Sequence, residues 1–555
     1  MLAIIVACFA FNYAAIFDKK MDSNGDNYFY YHLAQSLAQG KGYVSDIGPV
    51  PTPHTHFPPG YPAFLSLFYH IFPENIVALK LINGLLLLIS ILLLFRIVRK
   101  TTGRQGHWIA LATCLLTACH PELLRWSTIL MSEMLFIALT LGIIALCLDL
   151  DLDKVRRKDI RHILMLSGLC LLIIALYFVR AMGISLILAV ALTFLILAVK
   201  AFVGQKKDTR GWCSPLLAAA LVLLSFFIAK GSWDYRNQRV SPDHRNDYLN
   251  TFTQPASGEN PDTKVTFFLN RVKSNLTAFV PYYIPNSLID PSRAKFNPLF
   301  KEENQRWVLG ILIIFFMLIG LLSMKRLSLL LILYFVITFG ALFLYPAQYA
   351  DIRYFIPLLP LMLAALVAGL CCSAHFLVQH IIRNTPAFKL QKWAHVLTPA
   401  LALLMLALLL PKYYSCQKSY RKFAAYDSYG QMPDHKQYQS FLDMSAACAQ
   451  FPKDWLFVTR KPEIFYFHSR GQHSLSMPQP GLKSTEVVRF LRENRVSILV
   501  LDAFSWTYST VIMPAMIDYP KLFTIIYRAE DGSGAIVGFL PNLPLDINTW
   551  SSTEE

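Results

Sequence analysis

Nine polar side chains interrupt or border long apolar stretches: Asp26, His54, His56, Tyr61, Glu133, Arg180, Arg236, Asp351 and Arg353. Their types fit two kinds of chemistry, proton abstraction by a carboxylate and the holding of an anion by guanidinium groups. Asp26 directly precedes Asn27–Gln39, which reads as a short helix at a membrane interface with Gly40 just past its end. As an N-cap it would accept free backbone N–H groups; at the mouth of a cavity it would serve as a general base. His54 and His56 flank a bend ahead of Phe57-Pro58-Pro59-Gly60-Tyr61-Pro62, whose prolines fix φ and make a rigid entry to the next segment. They could bind a hydroxyl, a phosphate or a metal, or make ordinary polar contacts. Glu133 lies inside an apolar block, in Met131-Ser132-Glu133-Met134. An ionisable residue in a membrane span is costly and marks a functional site unless it is a hydrogen-bonded packing residue. Arg180 separates two apolar blocks, and Asp351 and Arg353 open another. Snorkelling would explain any one such arginine. Together they fit an anionic headgroup, because a guanidinium matches phosphate geometry. Arg236 sits in Gly231-Ser232-Trp233-Asp234-Tyr235-Arg236-Asn237, close to the membrane; Arg239, Arg245 and Arg271 follow it and read equally as solvated surface cations or as part of the site.

The elements that must hold these residues are membrane helices. Of 555 residues, 55% are hydrophobic, against about 45–50% in soluble domains, and they cluster in blocks of about 20, the length of a span. Eleven candidates fall near 3–17, 76–98, 107–120, 124–148, 162–179, 182–203, 214–230, 307–324, 327–345, 354–378 and 394–411. The first could also be a signal peptide's apolar core, but no clear cleavage site follows it. His120-Pro121 separates the third from the fourth, since a residue before proline avoids helix. The net charge of +16 lies largely in short loops, including Arg96–Arg104, Lys154–Arg161, Lys200–Arg210, Lys325–Arg326 and Arg383–Lys392. That is the pattern of basic residues retained on the cytoplasmic side, and it displaces nucleic-acid binding as an explanation. It places the N-terminus in the cytoplasm and loops 18–75 and 231–306 outside. Most of the ten cysteines lie in apolar blocks as small hydrophobes. Cys416 and Cys448 could pair in an oxidising compartment. No cysteine–histidine spacing resembles a zinc site.

Residues 412–555 form a second, extracytoplasmic domain beyond the membrane domain of residues 1–411. Strands are expected at 455–459, 496–501, 522–527 and 535–540, with helices at 484–493 and 508–517. That alternation reads as a small α/β fold. No glycine-rich phosphate loop follows any strand, so support or acceptor recognition is expected there instead of nucleotide binding.

Gly25-Asp26 with Tyr30 and a following small residue, then His-x-Pro-Pro-Gly-Tyr-Pro in the same first loop, resembles the GT-C-type membrane glycosyltransferases. Ser132-Glu133, Arg236-Asn237, Arg353-Tyr354 and the C-terminal outer domain extend the likeness over nearly the whole chain. It is most similar to the bacterial branch related to protein O-mannosyltransferases and lipid A aminoarabinose transferases. The resemblance implies a polytopic helical protein of the bacterial inner membrane that transfers a sugar, with inversion, from a polyprenyl-phosphate carrier to an acceptor hydroxyl at the outer face. The acceptor would be lipid A, an envelope glycan or a protein. Asp26 matches the first-loop acid that serves as base. Arg236 and Arg353, with Arg180 behind them, would stabilise the leaving phosphate; His54, His56, Tyr61, Glu133 and Asp351 complete the expected substrate site. Neither a metal nor another cofactor is expected, the lipid-linked sugar being a substrate. Asp26 is followed by Asn27 and not by a second acid, which leaves a protein acceptor open. Ser232–Arg236 echoes the WWDYG motif of oligosaccharyltransferases outside the C-terminal domain, which argues against transfer to asparagine. A lipid-linked glycan transporter or flippase, an O-antigen polymerase or ligase, and a non-catalytic assembly subunit are the competing readings. A transporter would show midplane charges and internal repeats, and neither is present.

Overall fold

The structure is a computed structural model that describes residues 1–23, 25–103, 106–204, 211–241, 251–255, 263–291, 306–347, 351–383, 390–502 and 508–542, without the side chains of 379–395 and 508–509. Arg104, Lys206, Lys207, Arg210 and the side chains of Arg383, Lys389 and Lys392, all part of the charge argument above, fall outside that description, as does Arg245. The chain divides into two compact units: Met1–Phe17, Thr55–Tyr61 and Val77–Arg421 in one, Asp18–His54, Pro62–Ile76 and Lys422–Glu555 in the other.

The first unit is helical. Among the described residues eight helices are long and apolar enough to cross a bilayer: Ile76–Thr101, Ile160–Val179, Ala181–Val203, Cys213–Val240, Arg306–Ser323, Lys325–Leu344, Leu359–Val378 and Val396–Ala424. The protein is an integral membrane protein. Each of the other expected segments is also helical but shorter: Leu2–Ile16, Gly106–Cys119, and a fourth that is split. Exposed Leu81, Leu85 and Ile89 recur every four residues on Ile76–Thr101, with Asn83 and Leu87 buried between them. A stripe of this kind suits acyl chains on one side and neighbouring helices on the other. Two glycines bring spans into backbone contact. A Cβ on Gly320 would lie 1.8 Å from the Ala365 carbonyl oxygen, and one on Gly369 would lie 1.7 Å from that of Phe316. Only glycine permits that approach between Arg306–Ser323 and the helix at Leu359–Arg383.

Three boundaries differ from the sequence reading. The expected fourth span, 124–148, is interrupted: one helix covers Pro121–Ser127, another Glu133–Asp149, and residues 128–132 are not helical. The hydroxyls of Ser127 and Thr128 donate to the carbonyls of Leu124 and Arg125, so side chains compete with the backbone where the helix stops. The seventh span does not end at 230; the helix runs Cys213–Val240. Its polar end is held by same-face pairs, with Lys230 bonded to Asp234 and the guanidiniums of Arg236 and Arg239 over Trp233 and Tyr235. The last helix runs Leu390–Ala424, through the expected boundary at 411.

The second unit contains the α/β fold. Strands β1 (Val44–Ser45) and β2 (Thr52–Pro53) form an antiparallel pair in the first loop. Strands β3 (Leu456–Thr459), β4 (Ser474–Ser476), β5 (Val496–Asp502), β6 (Phe523–Arg528) and β7 (Gly534–Phe539) form one mixed sheet of order β4-β3-β5-β7-β6. β3 runs parallel to β4 and β5, while β7 runs antiparallel to β5 and β6. Alternation sends Leu456, Val458, Leu499, Leu501, Val537 and Phe539 into one core with Val487, Leu491 and Ile512. Phe457 points the other way, against Phe451 and Phe465. The central strands β3 and β5 are buried on both faces, which explains why β5 is a continuous apolar run. The helix Ser484–Glu493 has the expected bounds; Pro462–His468 and β4 are additions. All ten cysteines are free thiols, Cys416 and Cys448 included.

Candidate active site

Glu133 organises the first unit. Its carboxylate is fully buried, and a single oxygen, Oε1, lies 2.6 Å from Arg180 Nη1 and 2.7 Å from Arg353 Nε. Three helix ends position these groups. Glu133 is the first residue of Glu133–Asp149, where the helix dipole favours an acid. Arg180 closes Ile160–Val179 in an extended conformation, φ −154° and ψ 136°. Arg353 sits in the short turn Ile352–Tyr354, capped by Asp351, whose Oδ1 accepts from the Arg353 N–H at 3.2 Å. Arg180 Nη1 also donates to Ser132 Oγ at 3.2 Å, and the Arg353 guanidinium lies 5.4 Å from the Trp126 ring centre. One buried carboxylate oxygen holds two guanidiniums, and both arginines stay partly exposed. Guanidiniums fixed and partly exposed in this way are placed to meet an anion.

The break before Glu133 is supported from below. Asn83 Nδ2 donates to the carbonyl of Ile129 at 2.6 Å and reaches that of Met131 at 3.4 Å, satisfying backbone that no helix pairs. Tyr61 is fully buried, and its hydroxyl hydrogen-bonds Asn83. The structure therefore puts Tyr61 behind the Glu133 segment. Ser132 belongs to the Ser132-Glu133 motif of the resemblance, whereas Asn83 and Trp126 were not singled out from sequence. Asn83 had a signal, a lone amide in an apolar span; Trp126 had none.

The remaining arginines have other settings. Arg236 Nη1 donates to Asn237 Oδ1 at 2.8 Å, and buried Asn237 bonds the Thr55 carbonyl at 3.4 Å. Arg271, for which a solvated surface position was one of two even readings, is buried. It donates to the carbonyls of Thr251, Phe252, Gln254 and Leu344 at 2.9–3.2 Å. Those carbonyls lack helix partners, and a guanidinium's five donors supply them. His56 is exposed against the Phe57 ring.

In the second unit Asp26 is half-buried in the first turn of Gly25–Ala38, one residue inside the helix instead of ahead of it. The far end is as expected: Gly40 has φ +73°, with Gly40 N–H bonded to Leu37 O and Lys41 N–H to Ser36 O, a Schellman closure. Buried Glu463 packs against this helix start, so closely that a Cβ on Gly25 would fall 2.0 Å from its Oε1. Burial, with the charge of Asp26 among the lesser causes, pushes the Glu463 carboxyl up. His54 packs its ring on Phe29 and Tyr43. His32 has an acidic partner: its Nε2 lies 2.6 Å from Asp46 Oδ1 and holds that carboxyl well below the usual range. His473 Nδ1 and Ser474 N–H then bond the carbonyls of Asp46 and Ile47.

Residues 56–172 match the family model described as dolichyl-phosphate-mannose-protein mannosyltransferase. No curated protein matches the chain. Among solved structures, ArnT from Cupriavidus metallidurans bound to undecaprenyl phosphate is similar at 12% identity and TM-score 0.55, over 98% of both chains. The archaeal oligosaccharyltransferase AglB from Archaeoglobus fulgidus, in complex with an inhibitory peptide and a dolichol-phosphate, is similar at 12% identity and TM-score 0.53, over 98% of this chain and 75% of its own. The chain has the fold of the GT-C-type membrane glycosyltransferases, the fold of ArnT and AglB, and carries within it a segment of the mannosyltransferase family model.

Proposed function

We propose that this protein is an inverting glycosyltransferase that moves a sugar from a polyprenyl-phosphate carrier to an acceptor hydroxyl at the outer face of a bacterial inner membrane. The observation that carries the reading is the pair of guanidiniums fixed on one buried carboxylate oxygen, both still partly exposed. Inverting transfer needs a base for the attacking hydroxyl and stabilisation of the departing phosphate. Asp26 takes the first role. Arg353 and Arg180 take the second, because preorganised cations act where charge develops. Arg236 contributes a further cation, and Glu133 positions the two it binds. The likeness to ArnT, solved with undecaprenyl phosphate, and to AglB, solved with a dolichol-phosphate, supports a lipid phosphate as the carrier. The basic loops support a cytoplasmic N-terminus, with loops 18–75 and 231–306 and residues 412–555 outside. The acceptor class is lipid A, an envelope glycan or a protein, and no cofactor is called for.

The test is transfer of label from polyprenyl-phosphate sugars to envelope fractions by the purified protein. Asp26→Asn should lower the rate by at least about a hundredfold, the lower end for a positioned base, while the protein remains folded in detergent. A fully active Asp26→Asn variant would remove Asp26 from the mechanism. A wild-type protein that binds the lipid and never releases label would refute sugar transfer.

A further inference from the structure

We propose that Cys8 and Cys119 are a modification site: a disulfide-bearing oxidant converts them to an internal disulfide that staples the helix Leu2–Ile16 to the helix Gly106–Cys119. The inference does not depend on sugar transfer. The two helices pack on each other. Cys8 shares a helix face with Ile5 and Asn12, both buried, and Cys119 is the last residue of its own helix. Their Sγ atoms stand 3.3 Å apart, although the residues are 111 positions apart in sequence. A disulfide needs about 2.0 Å, so the sulfurs have roughly 1 Å left to travel.

The backbone behind each sulfur is pinned. Asn12 Nδ2 donates to the Cys8 carbonyl at 2.8 Å, and it lies 3.7 Å from Cys8 Sγ and 3.6 Å from Cys119 Sγ. Gln417 Nε2 donates to the Cys119 carbonyl at 2.7 Å. Arg421 Nη2 joins the two amides, donating to Asn12 Oδ1 at 3.3 Å and to Gln417 Oε1 at 2.9 Å. One chain of hydrogen bonds therefore runs from one cysteine's carbonyl to the other's and holds the thiols face to face. Buried Cys114, by contrast, turns its thiol to the Ile91 carbonyl at 3.4 Å. A zinc site, which takes four ligands, does not fit the pair: among the described residues no third histidine, cysteine or carboxylate joins it in a metal-holding group.

Cys8 is half-buried and Cys119 buried, which orders the steps. The Cys8 sulfur attacks one sulfur of the oxidant; the oxidant's S–S bond breaks, and the displaced thiol leaves with the Cys8 proton. The Cys119 sulfur then attacks Cys8 Sγ. The internal bond forms, the mixed disulfide breaks, and the second thiol leaves with the Cys119 proton. Two thiols of the chain are oxidised and one disulfide of the oxidant is reduced to two thiols.

The experiment uses the full chain in detergent, first reduced and then treated with dipyridyl disulfide. Remaining thiols are alkylated, and the protein is mapped by mass spectrometry without reduction. The expected result is a peptide linking Cys8 to Cys119, absent from Cys8→Ser and Cys119→Ser and lost from the wild type after a thiol reductant. Oxidation should raise the unfolding temperature of the wild type by several degrees, because the bond closes so long a stretch of chain. It should leave that of both serine variants unchanged. Recovery of Cys8 and Cys119 as separate thiols or separate pyridyl adducts would overturn the proposal, as would a bond from Cys119 to Cys416. An unfolding temperature that rises equally in the serine variants would overturn the staple by assigning the stabilisation to another pair.

Discussion

Removing the Glu133 carboxylate is the most direct perturbation of the candidate site. Oε1 alone accepts from both guanidiniums, at 2.6 and 2.7 Å, while Oε2 is buried without a hydrogen-bond partner among the described residues. In Glu133→Ala two cations lose their shared anion. Breaking a buried pair in this way costs about 3–5 kcal/mol. Because Arg180 and Arg353 can still reach water, the lower end, about 3 kcal/mol, is expected; it corresponds to roughly a hundredfold in an equilibrium. Glu133→Gln keeps an acceptor at the Oε1 position but loses the charge that roughly doubles each bond. It also places an amide donor where Oε2 finds no partner, at about 1–3 kcal/mol. Glutamine therefore rescues little, and the two variants should unfold at similarly reduced temperatures. With the guanidiniums no longer held, kcat/KM for a polyprenyl-phosphate sugar should fall about a hundredfold, the usual penalty for a misplaced group of about 1 Å. Thermal unfolding and initial rates of label transfer, on the same preparations, measure both effects. An alanine variant that unfolds like the wild type and transfers within threefold of it would refute the assignment of Glu133 as the anchor of both arginines.

Acid should loosen the second unit through His468, whose buried ring bonds the Tyr28 hydroxyl and whose burial pushes it down to about 4. Its folded value lies below the ordinary value of about 6.5, so its contribution is full above that pH and is lost as pH falls toward 4. Unfolding followed from pH 7.5 to 4.5 should show the loss, and His468→Phe should flatten the profile. Gly320→Ala and Gly369→Ala should each lower the unfolding temperature, because the new methyl would meet a carbonyl oxygen at 1.8 or 1.7 Å; variants as stable as the wild type would show that the spans can separate. Chelator treatment should leave the transfer rate unchanged, since guanidiniums take the charge of the departing phosphate; activity restored only by a divalent ion would contradict this.

The apolar blocks were legible because the length of a span and the cost of burying charge act on the sequence locally. The strands and helices after 455 were legible for the same reason: period-two burial and a continuous apolar β5 write themselves into a few residues. What escaped detection was non-local or compensated. The break at 128–132 has an apolar centre, Ile129–Met131, and it stands because Asn83, far away in sequence, supplies its hydrogen bonds. The polar end of Cys213–Val240 reads as loop by composition, yet side-chain pairs one turn apart keep it helical. Glu133, Arg180 and Arg353 were each identifiable by type, but nothing in their spacing shows that one oxygen serves both arginines. For Arg271 the sequence left surface and site even, because its four carbonyl partners come from two distant segments.

The hydrogen bonds from Tyr61 through Asn83 to the carbonyls of Ile129 and Met131 mechanically gear two stretches of chain together. The stiff proline turn at one end and the anchor for both guanidiniums at the other share a single amide as their joint. A ligand that pulls on Glu133 therefore also loads the proline turn. A leucine at position 83, harmless by hydropathy, would uncouple the two and slacken Arg180 and Arg353 without touching either.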